Sequence, residues 1–234
     1  MSWCGLPDAR SVVVVITTRN EAETIGGLVL GLRDRGVGRV VVTDADSHDR
    51  TATIAAMAGA EVVRIGRAPI AAGILAGWRR VVGWPWVRVV VTMDAGGSHD
   101  PRELPRLLEA IEHGADVAIG SRFAPGASYV GRPWRRVLSR LAGAACALGS
   151  GWALRDWTSG YRAMRRELLG VLLARPTVAR HHGWQIEVLA RLLRCGARVV
   201  EVPITYRAGR SSFGVAAARE AAAVWWREVA SPWR

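Results

Sequence analysis

The chain has no lysine, and all 32 of its basic residues are arginines. This absence excludes chemistry that needs a lysine amine, such as a Schiff-base intermediate or the phosphate-binding lysine of a P-loop. With only 20 acidic residues, the formal net charge is +12. Such a charge predicts a polyanionic partner, which is a phosphorylated ligand, an anionic membrane or nucleic acid. Arginine suits phosphate because its guanidinium donates hydrogen bonds in pairs, although a GC-rich genome gives the same bias.

Cysteines and long apolar runs are also scarce. Cys4, Cys146 and Cys195 are odd in number and far apart, which argues against a disulfide framework and against a zinc site. Residues 1–10 lack the apolar stretch of a signal peptide. The longest uncharged stretch, 141–154, is shorter than the roughly 20 residues that span a bilayer. We therefore expect a cytoplasmic protein without a membrane-spanning helix.

Short apolar runs alternate with amphipathic stretches over the first two thirds of the chain. The runs are rich in valine and isoleucine, as buried parallel strands are, and cover 11–17, 39–43, 61–65, 88–93 and 116–120. Apolar residues at helical spacing fall between them, at 22–34, 51–58, 71–82 and 103–113. This alternation predicts an α/β fold with a mostly parallel central sheet flanked by helices.

The last third has a different pattern. After a loop rich in glycine and proline, the spacing predicts helices at 134–150 and 184–194, strands at 199–202 and 204–206, and an amphipathic helix at 215–229. We predict one catalytic domain at 1–210, with halves at about 11–120 and 121–210, and a helical tail at 211–234. The apolar stripe of the tail fits either a membrane interface or packing on the domain or on a second subunit.

Acidic residues stand directly after two of the predicted strands. Ligands of open α/β sheets bind outside the carboxyl ends of the strands, so Asp44, Asp46 and Asp94 are candidate site residues. Their carboxylates would repel each other unless a divalent cation or the hydroxyls of a sugar nucleotide lie between them. Asp49 and Asp100 are predicted instead to cap helices.

Other polar residues are predicted to have structural roles. Asn20, the single asparagine, stands three residues before Glu23, which predicts a capping box at the start of the first helix. His99 and the adjacent His181 and His182 do not have the spacing of metal ligands on a helix, so we expect them at the surface or in caps.

Seven short motifs follow one another along the chain, at 15–21, 44–51, 92–101, 120–122, 155–162, 184–187 and 201–204. In this order they resemble the family 2 glycosyltransferases, and within that family the polyprenol-phosphate (dolichol-phosphate) mannose synthases. The resemblance implies a single Rossmann-like domain of the glycosyltransferase A type. It also implies inverting transfer of a sugar to polyprenyl phosphate by an enzyme bound peripherally at the cytoplasmic face of the inner membrane.

A nucleotide-sugar donor, most often GDP-mannose, is implied by the same resemblance. The residues implied in donor binding are Thr17, Asn20, Glu21, Asp44, Asp46, Asp94, Arg207 and Arg210. The resemblance further implies a divalent metal, Mg²⁺ or Mn²⁺, held by Asp94 with Ser98. Gly96 departs from the family, because it stands where the second acid of the DxD motif is usual.

The acceptor phosphate needs cations more than it needs a general base. Its second pKa is near 6, so at pH 7 it is already an oxyanion nucleophile. Arg122 follows the fifth predicted strand, and Arg135 and Ser139 are four residues apart on one helix face. The resemblance supports these three and Asp94 as catalytic residues. Further candidates from the motifs are Thr158 and Ser159 for the acceptor, and Gln185 and Glu187 without an assigned role.

Other readings of the sequence remain open. A UDP-sugar, such as UDP-glucose or UDP-N-acetylglucosamine, is the alternative donor, with a lipid phosphate or another acceptor. Gly96 also leaves room for a protein that binds the donor without catalysis. A nucleic-acid-binding protein would explain the charge, yet no zinc-finger, helix-turn-helix or RNA-recognition motif occurs, so we do not expect a nucleic-acid partner. The arginines at 132, 136 and 140 are expected to form a basic face toward solvent or membrane.

Overall fold

The computed structural model describes residues 8–131, 133–209 and 215–230, without the side chains of 135, 215–218 and 230. Nine strands lie within these ranges: β1 Val12–Thr18, β2 Arg39–Asp44, β3 Glu61–Arg64, β4 Val89–Asp94, β5 Val117–Ser121, β6 Ser128–Val130, β7 Arg162–Arg165, β8 Val199–Pro203 and β9 Thr205–Arg207. Seven of them form the central sheet, in the order β3-β2-β1-β4-β7-β5-β8. All are parallel except β7, which is antiparallel to both of its neighbours. The predicted mostly parallel sheet is confirmed.

Helices cover both faces of the sheet. They are α1 Ala22–Arg33, α2 Thr51–Met57, α3 Ile70–Val81, α4 Leu104–Glu112, α5 Pro133–Ser150, α6 Leu168–Leu173, α7 Trp184–Arg194 and α8 Val215–Trp225. Successive valines of β1 point to opposite faces, as the period of a strand requires. Val12 and Val14 pack in the cluster that contains the buried residues of α1 and α4, whereas Val13 and Val15 pack in the cluster of α3, α6 and α7. The protein is therefore a three-layer α/β/α sandwich.

Three short elements were not expected from the sequence. β7 contains two arginines in four residues and lacks the apolar run that marks the other strands. It is nevertheless buried between β4 and β5, because the guanidinium of Arg162 donates to three backbone carbonyls. β6 and α6 are too short for a clear periodic pattern. β6 pairs with β9 in a separate two-stranded sheet.

The described part of the tail packs on the domain. α8 continues into a π-helical turn, Trp226–Ala230. Val224 and Val229 are buried, and the Trp225 indole donates to the carbonyl of Ala145 on α5. Glu228 forms an ion pair with Arg194 of α7 at 2.8 Å. The contacts of these tail residues fit the alternative in which the tail packs on the domain.

Candidate active site

A pocket of about 300 Å³ opens at the carboxyl ends of β1, β4 and β5. Two loops, the start of α5 and the start of α7 complete its walls. This is the edge at which ligands of open α/β sheets bind. The predicted site residues that line it are Thr17, Glu21, Asp94, Ser98, Arg122, Ser139, Thr158, Ser159 and Gln185. Both the donor and the acceptor candidates therefore meet in one pocket.

Asp94 is the last residue of β4 and lies beside Thr17 of β1 in the strand register. Its side chain is partly exposed to the pocket. On one side it lies against the backbone of Gly160, where a Cβ would stand 2.7 Å from Oδ1. Any side chain at position 160 would thus displace the carboxylate. Gly160 therefore limits the positions that the Asp94 carboxylate can occupy at the carboxyl edge of the sheet.

His99 supports the loop that follows Asp94. The prediction of a surface or capping role is wrong for His99, because its ring is buried and stacks on Tyr161 at 5.1 Å. The backbone N–H of Asp94 donates to His99 Nδ1 at 3.4 Å. Burial lowers the pKa of His99 below its ordinary value, although Asp94 acts in the opposite direction. The imidazole is therefore neutral at pH 7, and its 3.7 Å approach to the Asp94 carboxylate is not an ion pair.

Arg122 forms a buried ion pair with Asp156, a residue that the sequence did not single out. Nε and Nη2 donate to the two carboxylate oxygens at 2.8 and 2.7 Å, and the backbone N–H of Arg122 donates to the same carboxylate. Nη2 also donates to Thr158 Oγ1 at 2.6 Å. Burial opposes both charges, but the pair raises the pKa of Arg122 and lowers that of Asp156. The guanidinium is thus charged and held in one orientation beside the pocket.

The loop that carries Thr158 and Ser159 is held by hydrogen bonds from a buried arginine. Arg162 is fully buried and donates to the carbonyls of Trp157, Ser159 and Gln185 at 2.8 to 2.9 Å. Burial lowers the pKa of Arg162 to about 10, so it stays charged at pH 7. Because these carbonyls come from the loop and from α7, Arg162 sets the position of Thr158 and Ser159 relative to Gln185. The arginine of the 155–162 motif was the only sequence signal for this role.

α5 forms one wall of the pocket through Trp134, Leu138, Ser139 and Ala142. Arg135 lies on the same helix, but its side chain lies outside the described residues. Arg210 also lies outside them.

Asn20, Asp44 and Asp46 connect two loops and lie outside the pocket lining. Asn20 Oδ1 accepts from the backbone N–H of His48 at 2.8 Å, and the N–H of Asn20 donates to Ser47 Oγ. The capping box with Glu23 is therefore wrong, since Asn20 bonds to the neighbouring loop and α1 begins without a side-chain cap. Asp44 is buried and accepts from the N–H of Ser47. Asp46 is exposed, with a positive φ of 62°.

The remaining predicted residues have different positions. Arg207 lines a neighbouring cavity of about 250 Å³ between α1 and the loop after β4. Gln185 lines the main pocket, whereas Glu187 is fully buried away from it and accepts from the backbone N–H groups of Val178 and Ala179. Asp100 caps the short 3₁₀ turn before α4, as predicted, because its side chain accepts from the N–H of Arg102. Asp49 accepts from the N–H of Thr51 but is not the N-cap of α2, which is Arg50 and makes no side-chain cap bond.

The acids that line the pocket are Glu21 and Asp94. Within 8–131, 133–209 and 215–230, no three histidine, cysteine, aspartate or glutamate side chains gather into a metal-binding group. The donor set is two carboxylates and the Ser98 hydroxyl, which are the hard oxygen ligands that Mg²⁺ and Mn²⁺ accept. Mg²⁺ is commonly held by one or two carboxylates together with phosphates of the substrate. These residues therefore fit a cation that is completed by a diphosphate.

The model of "Glycosyl transferase family 2" matches residues 13–173. The chain belongs to glycosyltransferase family 2, and the expected membership and enzyme class are confirmed. The polyprenol monophosphomannose synthase of Mycolicibacterium smegmatis is 38% identical over 206 residues, which are 84% of this chain and 77% of that protein. The undecaprenyl-phosphate mannosyltransferase of Micrococcus luteus is 38% identical over 207 residues, 83% of each chain.

Solved structures of the glucosyl-3-phosphoglycerate synthase of Mycobacterium tuberculosis share the fold. One, with phosphoglyceric acid, has a TM-score of 0.73 at 20% identity, and covers 98% of this chain and 82% of its own. Another, with Mn²⁺ and UDP-glucose, has a TM-score of 0.73 at 23% identity, with coverage of 98% and 81%. At this identity the likeness confirms the glycosyltransferase A-type architecture and leaves the substrate of this chain undecided.

None of the described helices is both long enough and apolar enough to cross a membrane.

Proposed function

We propose that this glycosyltransferase moves mannose from GDP-mannose to polyprenyl phosphate, with inversion at the sugar. The observation that carries the proposal is the joint placement of Asp94 and Arg122 in one pocket, an acid suited to a metal and diphosphate and a cation suited to an acceptor phosphate. The names of the relatives in M. smegmatis and M. luteus support mannose and a polyprenyl phosphate. A UDP-sugar is the alternative donor.

In this proposal the two halves of the domain hold different substrates. Residues 11–120 hold the donor through Thr17, Glu21, Asp94 and Ser98 around its diphosphate. A divalent metal bound there would neutralise charge as the nucleoside diphosphate leaves. Residues 121–210 hold the acceptor, with Arg122, Ser139, Thr158 and Ser159 facing its phosphate. Arg135, Arg207 and Arg210 keep their proposed roles in acceptor and diphosphate binding.

The nucleophile is the acceptor phosphate itself. As an oxyanion at pH 7 it attacks the anomeric carbon while the nucleotide diphosphate departs from the opposite side, so an α-linked donor gives a β-linked product. No protein base is needed. What the chain supplies is orientation, because Asp156 and Thr158 hold the Arg122 guanidinium in one position before the acceptor arrives.

We propose that α5 docks on the anionic surface of the bilayer at its cytoplasmic face. Its buried face contains Gly143 and Cys146. Large apolar side chains on the opposite side are exposed by 57% to 87%, at Trp134, Val137, Leu141 and Leu148. From Trp134 to Leu148, a span of 15 residues, the helix rises about 21 Å. Two further exposed residues are Arg136 and Arg140, which favour negatively charged headgroups.

The same helix lines the pocket, which connects the proposed membrane surface to the acceptor site. A polyprenyl chain leaves a bilayer at a cost of roughly 0.8 kcal/mol per CH₂, so the enzyme has to come to the lipid. One side of α5 lines the pocket and the other side exposes apolar residues, so the helix could contact the membrane while the acceptor phosphate enters the pocket.

Protection against thermal unfolding tests the donor. GDP-mannose with Mn²⁺ is expected to raise Tm more than UDP-glucose or UDP-N-acetylglucosamine at equal concentration. Transfer of radiolabelled mannose to polyprenyl phosphate then tests the reaction. Asp94→Ala is expected to abolish transfer and leave the unfolding transition in place. Near-normal turnover by Asp94→Ala, or protection by UDP-sugars alone, would overturn the assignment.

A further inference from the structure

We infer that Glu21 supplies the second carboxylate of the metal and diphosphate site, in place of the acid that is missing at position 96. The inference rests on the proposed function, because the cation concerned is the one that would accompany the donor diphosphate. It gives Glu21 a specific role within donor binding, as a ligand of the cation that accompanies the diphosphate.

The geometry around Gly96 is the main observation. A Cβ on Gly96 would have Glu21 Oε1 at 3.5 Å and Oε2 at 3.7 Å as its nearest neighbours. The Glu21 carboxylate thus lies beside the point at which a side chain from position 96 would begin. Glu21, Asp94 and Gly96 all line the same pocket. Two segments, the loop after β1 and the end of β4, therefore each bring a carboxylate to this pocket.

Glu21 is also held in place by its surroundings. Its backbone N–H donates to Thr51 Oγ1 at 2.8 Å, and its side chain accepts a longer bond from Thr24 Oγ1 at 3.4 Å. The strand register places Thr17, four residues earlier, beside Asp94. Glu21 follows the end of β1 and Asp94 ends the adjacent β4, so both carboxylates lie at the same edge of the sheet.

Mg²⁺ and Mn²⁺ take carboxylate oxygens together with oxygens of a substrate phosphate. Glu21 and Asp94 are the two acids in the described lining of the pocket. With so few protein ligands, the cation is expected to bind weakly to the protein alone and tightly in the presence of a nucleoside diphosphate.

Mn²⁺ binding, followed by electron paramagnetic resonance, tests this without any measurement of turnover. The samples are protein alone, protein with GDP or with UDP, and each nucleotide without protein as a blank. In the presence of the nucleotide, Glu21→Gln is expected to weaken Mn²⁺ binding at least about tenfold, a loss in the range reported for metal-site partners. Glu21→Asp, which shortens the side chain by one methylene, is expected to weaken it less. Glu23→Gln, two residues away and exposed, is the matched control and should bind as the wild type does.

The double variant Glu21→Gln with Gly96→Asp tests the replacement itself. The 3.5 Å spacing is ordinary van der Waals contact, so a Cβ at position 96 is accommodated without a shift of its neighbours. The aspartate is expected to restore Mn²⁺ binding to within about threefold of the wild type. Thermal unfolding of each variant shows that it is folded.

The outcomes separate this inference from the proposed function. Wild-type binding of Mn²⁺ with a nucleotide, lost in Glu21→Gln and restored in the double variant, supports the inference. Unchanged binding by Glu21→Gln, or loss without restoration, overturns it and leaves the proposed transfer reaction intact. No Mn²⁺ binding by the wild type with either nucleotide overturns the metal in the proposed function and this inference with it.

Discussion

The carboxylate of Asp94 lies so close to Gly160 that a Cβ on the glycine would stand 2.7 Å from Oδ1. This contact joins the end of β4 to the loop before β7. It means that the position of the acid depends on a residue 66 positions away in the sequence, whose importance comes from the absence of a side chain.

Gly160→Ala is therefore expected to impair the site more than the fold. The added methyl group forces the Asp94 carboxylate to rotate, which should lower transfer activity at least about tenfold, since small misplacements of reacting groups are costly. The free energy of unfolding should fall by no more than about 1 kcal/mol, the low end for overpacked sites, because the displaced carboxylate is the end of a partly exposed side chain. Steady-state kinetics and urea unfolding measure the two effects. Gly170→Ala, within α6 where a Cβ meets nothing within 4 Å, is the control: activity should stay unchanged and the free energy of unfolding should not fall.

Arg122→Lys keeps the charge and loses the planar fork that Asp156 and Thr158 hold. We expect kcat/KM for the acceptor to fall roughly 10- to 100-fold, in line with the loss of one charge-assisted hydrogen bond. The Kd of the donor should stay within about twofold. Arg102→Lys, at an exposed position, is the control. A loss of donor affinity instead would assign Arg122 to the diphosphate.

Asp156→Asn leaves the Arg122 charge buried without its partner. Breaking one half of a buried pair costs about 3 to 5 kcal/mol, and we expect a loss of unfolding free energy of that size at pH 7.

The pH dependence of stability gives an independent check on this pair. The folded-state pKa of Asp156 is lowered, so its contribution is complete above the unfolded pKa of about 3.9 and is lost as the pH falls below that value. Unfolding of the wild type between pH 5 and 2 should therefore show a steeper loss of stability than that of Asp156→Asn. Parallel curves would contradict the pairing as the source of the stability.

Val137→Ser with Leu141→Ser removes two exposed apolar groups from α5. Burial of each of these side chains in a membrane interface contributes a free energy on the order of 1.5 kcal/mol. Their loss should therefore weaken binding to anionic vesicles at least about tenfold. Sedimentation with vesicles of anionic and of neutral lipid measures this. Met57→Ser, an equally exposed apolar residue on α2 across the sheet, should bind as the wild type does. Equal binding by both variants would exclude α5 as the docking surface.

The sequence by itself determined the layers of the fold. The valine-rich runs and the intervening helical spacing gave the parallel strands and most helices nearly to the residue, because burial on both faces of a sheet leaves an unbroken apolar signal. The order of the seven motifs along the chain indicated glycosyltransferase family 2. The positions of Asp94 and Arg122 at strand ends followed from the rule that ligands bind at the carboxyl edge.

Only the tertiary structure decided how these residues are held. The roles of Asp156 and Arg162, and with Arg162 the strand β7, were not predicted from the sequence. Both side chains are charged and buried, and a buried charge is stable only through partners that are distant in the chain. Asn20 bonds to the second loop instead of capping α1 because its partner, His48, lies 28 residues further along the chain and comes beside it only in the folded protein. The nearness of Glu21 to Gly96 depends on two loops that adjacent strands bring together, a relation that no local pattern encodes.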